Sequence, residues 1–241
     1  MSLLNRNWLI AILALVFVAP ALAEDTKKAN DAVVPVPRDG GWMKRHESFN
    51  ERVKKGNVDL LLIGDSITQG WEGSGAKVWK EFYEKRNAVN LGIGGDRTQH
   101  VLWRLDNGNV EGIKPKLAVL MIGTNNSGSN TSEQIAEGVK AIVEKLRTKL
   151  PETKVLVLAI FPRGENNDNK NRKVNTGANE IISKLADDKN VFYLDIGPKF
   201  LDASGSLSKE VMPDLLHLNE KSYRTWAEST EESVNKLMGE K

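Results

Sequence analysis

Residues 58–66 read Val-Asp-Leu-Leu-Leu-Ile-Gly-Asp-Ser, an apolar run that is interrupted once and ends in glycine and two polar residues. Such a run is typical of a strand buried on both faces of a parallel sheet. Comparable apolar runs follow along the chain, separated by segments with helical spacing. The predicted strands are residues 58–63, 88–91, 117–122, 155–160 and 191–195. The predicted helices are residues 43–53, 76–86, 97–105, 131–150, 171–186 and 220–238.

This alternation predicts an α/β fold, a three-layer α/β/α sandwich around a five-stranded parallel sheet. No repeat or low-complexity segment interrupts it, so residues 41–241 are interpreted as one domain. Residues 24–40 are polar and contain Pro35 and Pro37, which predicts an extended leader. Ligands of such sheets bind beyond the carboxyl ends of the strands.

Residues 1–23 are predicted to be a signal peptide. Arg6 precedes the apolar run 8–18, and Ala21-Leu22-Ala23 forms a small-x-small cleavage site. The alternative is a retained membrane anchor, but the apolar stretch 8–23 is shorter than the about 20 residues needed to span a bilayer. We therefore expect cleavage after Ala23, export to the periplasm or beyond, and no integral membrane association.

Composition excludes several classes of function. The formal net charge is +2, and acidic and basic residues are interleaved, so no nucleic-acid partner is expected. The chain has no cysteine, which rules out disulfides, thiolate metal sites and a cysteine nucleophile. No His-x-x-x-His pair is present either, so neither a metal nor an organic cofactor is expected.

Polar clusters follow the first three predicted strands, and a fourth precedes the last helix. They are Gly64-Asp65-Ser66, residues 92–96, residues 123–126 and residues 214–217. Each alone has an ordinary interpretation: Asp and Ser cap helices, and glycine-rich or polar turns connect elements. Residues 92–96 lack the glycine spacing of a dinucleotide loop. Together, however, the clusters converge on one end of the sheet and could supply a nucleophile, amide donors, an acid and a base.

Asp214 and His217 are three residues apart, so one helical turn would place the carboxylate beside the imidazole. The other two histidines, His46 and His100, lie within predicted helices without such a carboxylate. They are interpreted as surface or structural residues.

The four clusters resemble the signature of the GDSL (SGNH) hydrolase superfamily. The chain is most similar to the catalytic subunits of platelet-activating-factor acetylhydrolase Ib, from about Gly41 to the C-terminus. The shared stretches are residues 41–43, 91–96, 98–105, 123–126 and 162–164. The resemblance implies a flavodoxin-like SGNH fold and a homodimer. One departure is Ile67, where the motif has leucine; another is the predicted signal peptide.

Carried over residue by residue, the resemblance makes Ser66 the nucleophile, His217 the base and Asp214 the group that orients it. The oxyanion hole would consist of the N–H groups of Ser66 and Gly95 and the side-chain amide of Asn125. These roles imply a serine esterase.

Ile67 and Leu216 flank the nucleophile and the base and are expected to line a small acyl pocket, which favours acetyl esters. The predicted export favours acetylated carbohydrate or lipid-like esters as substrates. The alternatives are an acyltransferase with the same triad and a non-catalytic carbohydrate-binding or scaffold module.

Overall fold

The computed structural model describes residues 29–240. The predicted signal peptide lies outside these residues. The strands are β1 (Leu60–Gly64), β2 (Ala88–Gly92), β3 (Leu117–Met121), β4 (Lys154–Leu158) and β5 (Val191–Leu194). The helices are α1 (Gly41–Lys54), α2 (Ser66–Gln69), α3 (Ala76–Phe82), α4 (Thr98–Asp106), α5 (Ser132–Lys149), α6 (Lys170–Ile182) and α7 (Glu220–Met238).

All paired strands are parallel and lie in the order β2-β1-β3-β4-β5. The prediction of a five-stranded parallel sheet in an α/β fold is confirmed. The order reverses direction between β1 and β3, and ligands of doubly wound sheets bind at such a switch point. The loops after β1, β2 and β3 therefore meet where a site is expected.

A hydrophobic core lies on each face of the sheet. One face packs against α1, α4, α5 and α6, and the other packs against α2, α3 and α7. Each strand contributes alternate side chains to the two cores, which explains why the strands are mostly apolar.

Several predicted helices end earlier than their apolar pattern. The helix predicted for 76–86 stops at Phe82, because Glu84–Arg86 form a 3-10 turn and Asn87 adopts a left-handed conformation with φ of 46°. The helix predicted for 171–186 stops at Ile182 and continues as the 3-10 turn Ser183–Leu185. The apolar pattern does not distinguish a 3-10 turn from a last α-helical turn.

The N-terminal strap, residues 29–40, packs on the domain rather than extending away from it. It contains the 3-10 turn Asp31–Val33, and Ala32 is fully buried. Thr98 Oγ1 donates to the carbonyl of Ala32 at 2.7 Å, which ties the strap to α4. A Cβ at Gly138 would lie 2.9 Å from the same carbonyl, so glycine is required there on α5.

Within residues 29–240, no helix has the length and apolar character needed to cross a lipid bilayer.

Candidate active site

Ser66 lies at the first position of α2, directly after β1. Asp65 caps this helix, and its Oδ1 accepts the N–H of Ile67 at 2.9 Å. The turn is so tight that a Cβ at Gly64 would clash with Thr68 and with the carbonyl of Met121. Glycine is therefore required before Asp65, and the serine is held at the carboxyl edge of the sheet.

The structure brings Ser66, His217 and Asp214 together. Ser66 Oγ lies 2.8 Å from His217 Nε2, and His217 Nδ1 lies 2.6 Å from Asp214 Oδ2. The other carboxylate oxygen of Asp214 accepts the backbone N–H groups of Leu216 at 3.1 Å and His217 at 2.7 Å. The hydroxyl, the imidazole and the carboxylate thus form one continuous hydrogen-bonded chain.

The sequence predicts a helical turn from Asp214 to His217. In the structure these residues lie in a loop instead. Leu215 between them has a left-handed φ of 59°, and the carboxylate of Asp214 folds back onto the following backbone N–H groups. The carbonyl of Leu215 accepts the N–H of Gly164 at 2.8 Å. The loop after β4 therefore fixes the loop that carries the histidine.

Asp214 stays ionised near neutral pH. Partial burial would raise its pKa, but hydrogen bonds from the His217 ring and from the backbone N–H groups outweigh this effect and lower the pKa. An ionised carboxylate at Nδ1 favours the tautomer whose Nε2 is free to accept the Ser66 proton. The side chains of Asp214 and His217 are 55% and 43% exposed, so the triad is open to solvent.

Two backbone N–H groups at the site, those of Ser66 and Gly95, have no hydrogen-bond partner within residues 29–240. Gly95 adopts a left-handed φ of 75°. The side-chain amide of Asn125 donates one of its two hydrogens to the carbonyl of Asp96 at 2.9 Å. These groups lie on the loops after β1, β2 and β3 and are suited to stabilise a developing oxyanion.

Asp96 is the buried anchor of the loop after β2, and its carbonyl is the one that accepts the Asn125 amide. It is fully buried and paired with Arg104 at 2.9 Å. Trp42 Nε1 donates to its other oxygen at 2.6 Å. Burial raises the pKa of Asp96, although Arg104 opposes the rise most strongly, with help from Trp42 and Arg38. Sequence reasoning missed this network because the contacts join residues far apart along the chain, and it assigned no role to Arg104.

The strap contributes Arg38 to the same loop. Its Nη1 donates to the carbonyl of Gly94 at 2.8 Å and lies 3.4 Å from Asp96 Oδ1. A Cβ at Gly95 would lie 3.2 Å from that nitrogen. The guanidinium thus covers the loop that carries one of the free N–H groups.

Asp65 is a second buried carboxyl, directly beside Ser66. Burial raises its pKa to about 7, and nearby Asp96 adds to the rise, whereas the N–H of Ile67 opposes it. Its Oδ2 has no hydrogen-bond partner among the described residues.

Arg163 follows β4 and is half-buried beside the site. Its Nη1 donates to the carbonyl of Thr124 at 3.0 Å and to Thr124 Oγ1 at 3.3 Å. Burial lowers its pKa, and the charges of Asp65 and Asp214 oppose that change. Its place in the shared stretch 162–164 is the sequence signal that could have drawn attention to it.

The two residues predicted to line an acyl pocket differ in exposure. Ile67 is 1% exposed and packs into the core shared by α2, α3 and α7, so it can form at most the floor of a pocket. Leu216 is half-buried beside His217.

The remaining histidines are structural. His46 is buried and stacks on Trp42, and Asn109 lies 3.1 Å from its Nδ1. His100 Nδ1 accepts the N–H of Arg97 at 2.9 Å, and burial lowers the pKa of His100 to about 4. Among the described residues, no cluster of three His, Asp or Glu side chains could hold a metal ion.

Comparison with known proteins gives consistent matches. The model of the GDSL-like lipase/acylhydrolase family matches residues 62–225. The chain is 39% identical to platelet-activating factor acetylhydrolase IB subunit alpha2 of Rattus norvegicus, over 88% of this chain and 93% of that protein. It is 40% identical to the alpha1 subunit of Homo sapiens, over 79% of this chain and 81% of that protein.

Among solved structures, an acetyl xylan esterase matches with a TM-score of 0.61. The identity is 23%, and the match covers 73% of this chain and 100% of that chain. At this identity the match shows a similar fold and nothing further.

Proposed function

The chain belongs to the GDSL-like lipase/acylhydrolase family and is a carboxylic ester hydrolase; on this premise we propose that it cleaves short-chain, chiefly acetyl, esters through Ser66, His217 and Asp214. The observation that carries the proposal is the hydrogen-bonded chain from Ser66 Oγ through His217 to Asp214, at 2.8 and 2.6 Å. Each contact lies within the range required for proton transfer.

In the proposed reaction, His217 Nε2 accepts the Ser66 proton while Oγ attacks the ester carbonyl. The N–H groups of Ser66 and Gly95 and the Asn125 amide stabilise the oxyanion. His217 then protonates the leaving alcohol, and an acyl-enzyme remains. Water attacks this ester with His217 again as the base, which releases the carboxylic acid and restores the serine hydroxyl. Asp214 stabilises the imidazolium at both stages.

The exposure of the two predicted acyl-pocket residues supports a preference for short acyl groups. Ile67 is buried, and Leu216 alone of the two predicted acyl-pocket residues offers partly exposed apolar surface. A long acyl chain would leave most of its length in water and gain little from burial.

The proposed substrates are extracellular acetyl esters, with acetylated glycans first. Two considerations support this choice: the predicted signal peptide, and the name of the fold relative that is an acetyl xylan esterase. The relatives with higher identity are acetylhydrolases by name, which supports the same acyl group.

The test is hydrolysis of 4-nitrophenyl esters of two to twelve carbons by the wild type and by Ser66→Ala. We expect the wild type to prefer acetate and Ser66→Ala to lose a factor of about 10⁴ to 10⁶ in kcat. Ser48→Ala, an exposed serine of α1, is the matched control and should keep full activity. A correctly folded Ser66→Ala enzyme that retains activity would refute the nucleophile, and an optimum at long chains would refute the acyl preference.

A further inference from the structure

A cavity lies beside the loop after β4, which also carries Arg163. It has a volume of about 370 Å³ and lies between α6 and the 3-10 turn Gly197–Phe200, beyond the carboxyl ends of β4 and β5. Small-molecule sites occupy about 300 to 1,000 Å³. We refer to it as the Tyr193 pocket; its lining includes Pro162, Asn175, Glu180, Tyr193, Asp195 and Pro198.

The Tyr193 pocket shares a wall with the active site. Asn175 lines the pocket, and its Nδ2 donates to Thr124 Oγ1 at 3.2 Å. Thr124 directly precedes Asn125, whose amide belongs to the proposed oxyanion hole. On the other side, Pro162 lines the pocket and directly precedes Arg163, which also binds Thr124. Thr124 and Asn175 are each 1% exposed, so they form the wall between a ligand in the pocket and the Asn125 side of the active site.

Several polar groups in the lining are free to form hydrogen bonds with a ligand. Within the described part of the chain, the Tyr193 hydroxyl, the Glu180 carboxylate and Asp195 Oδ2 make no hydrogen bond, whereas Asp195 Oδ1 accepts the N–H of Gly197 at 2.7 Å. Burial, with the nearby charge of Asp195, raises the pKa of Tyr193 to about 12, so the phenol remains a donor. Donors and acceptors are therefore both available.

The lining also has apolar surface and mixed charge. The Tyr193 ring, Pro162 and Pro198 provide apolar faces. The guanidinium of Arg172, also in the lining, is engaged by the carbonyl of Gly205 at 2.8 Å, among others. The carboxylates of Glu180 and Asp195 would repel an anionic ligand, and Arg172 would repel a simple cation. The lining therefore favours a neutral ligand.

We propose that the Tyr193 pocket binds a neutral sugar residue in the alcohol part of the ester substrate. A sugar offers C–H faces to the tyrosine ring and prolines, and hydroxyls that both donate and accept. The assignment rests on the proposed function, because the sugar is held for the ester that Ser66 cleaves. The pocket sets the alcohol specificity, whereas the triad sets the chemistry.

The test compares two substrates, acetylated xylo-oligosaccharide and 4-nitrophenyl acetate. The 4-nitrophenol part of the second substrate is too small to reach the Tyr193 pocket from the active site. Tyr193→Phe removes the phenol O–H, and Glu180→Gln removes the charge and replaces one acceptor oxygen with an N–H donor. Neither change removes the side chain. We expect KM for the oligosaccharide to rise about fivefold in each variant, as for the loss of one hydrogen bond. KM for 4-nitrophenyl acetate and kcat for both substrates should be unchanged.

Glu232→Gln is the control, an exposed carboxylate of α7 on the opposite face of the sheet. It should alter neither substrate. Equal KM values for the oligosaccharide in Tyr193→Phe, Glu180→Gln and wild type would overturn the pocket assignment while 4-nitrophenyl acetate is still cleaved. Loss of the aryl acetate reaction in the wild type would instead overturn the proposed function.

Binding is measured separately from cleavage, with unacetylated xylo-, cello- and chito-oligosaccharides and the Ser66→Ala protein. Saturation-transfer NMR should show contact with at least one of them, and the contact should weaken in Ser66→Ala combined with Tyr193→Phe. Absence of binding by all three, or binding of choline instead, would overturn the assignment to a sugar.

Discussion

The buried ion pair of Asp96 and Arg104 lets one substitution test how strongly the loop after β2 is held. Arg104 is 1% exposed and Asp96 is fully buried. Arg104→Met keeps an extended side chain but removes the Nε hydrogen bond of 3.0 Å and the Nη2 ion-pair contact of 2.9 Å, both to Asp96 Oδ2. Breaking a buried pair by removing one partner costs about 3–5 kcal/mol in the free energy of unfolding, because an uncompensated charge remains. For a domain of this size the melting temperature should fall by roughly 10 °C.

The loss should depend on pH in a defined direction. Burial already raises the pKa of Asp96 with Arg104 present, and removal of Arg104 raises it further. The native variant then binds a proton between the unfolded pKa of about 3.9 and the raised native value. Its stability is therefore highest at the acid end of this window and falls as the pH rises through it. The difference from wild type should be larger at pH 8 than at pH 5.

Urea denaturation of the wild type and Arg104→Met at both pH values measures these differences. Arg224→Met is the matched control, because it removes an Arg–Glu contact of 2.8 Å between exposed side chains. Such a pair contributes less than about 1 kcal/mol. The reasoning is refuted if Arg104→Met costs no more than this control, or if its cost is the same at pH 5 and pH 8.

Three further predictions concern the site itself. Asn125→Ala should lower kcat on 4-nitrophenyl acetate by a factor of about 10² to 10³ with little change in KM, and an unchanged kcat would remove the amide from the oxyanion hole. Asp214→Asn should lower kcat by less than the about 10⁴ known for buried triads, because water can reach Nδ1 of the half-exposed His217; a full 10⁴ loss would contradict this. Asp65→Asn keeps the cap on Ile67 but removes a buried carboxyl with a raised pKa of about 7. The wild type should lose stability as the pH rises from about 4 to 7, and melting curves of Asp65→Asn should show a smaller loss, because only the contribution of Asp96 remains.

The sheet and the order of the polar clusters were predictable because apolar strands are local patterns. Residues 58–66 alone indicate a buried strand that ends at a serine, and the later strands repeat the pattern. Helix ends such as Phe82 were less predictable, because Asn87 adopts a left-handed conformation that the apolar spacing does not encode.

The supporting contacts of the site could not be predicted, since they join residues far apart in sequence. Arg104 lies among apolar neighbours of α4, and its burial depends on Asp96 and Trp42, which meet only in the fold. Likewise, Ile67 reads as a possible substrate contact because it follows Ser66. Its burial is set by packing against α3 and α7.

The strap has a consequence for how far the active site depends on the N-terminal part of the chain. It runs from Ala32, buried against α4, to Arg38, which covers the Gly94–Asp96 loop. The proposed reacting groups all lie beyond residue 41, yet this loop is also held by a residue that precedes the first helix. A chain shortened to begin at residue 39 would keep Ser66, His217 and Asp214 but lose the Arg38 contacts with Gly94 and Asp96.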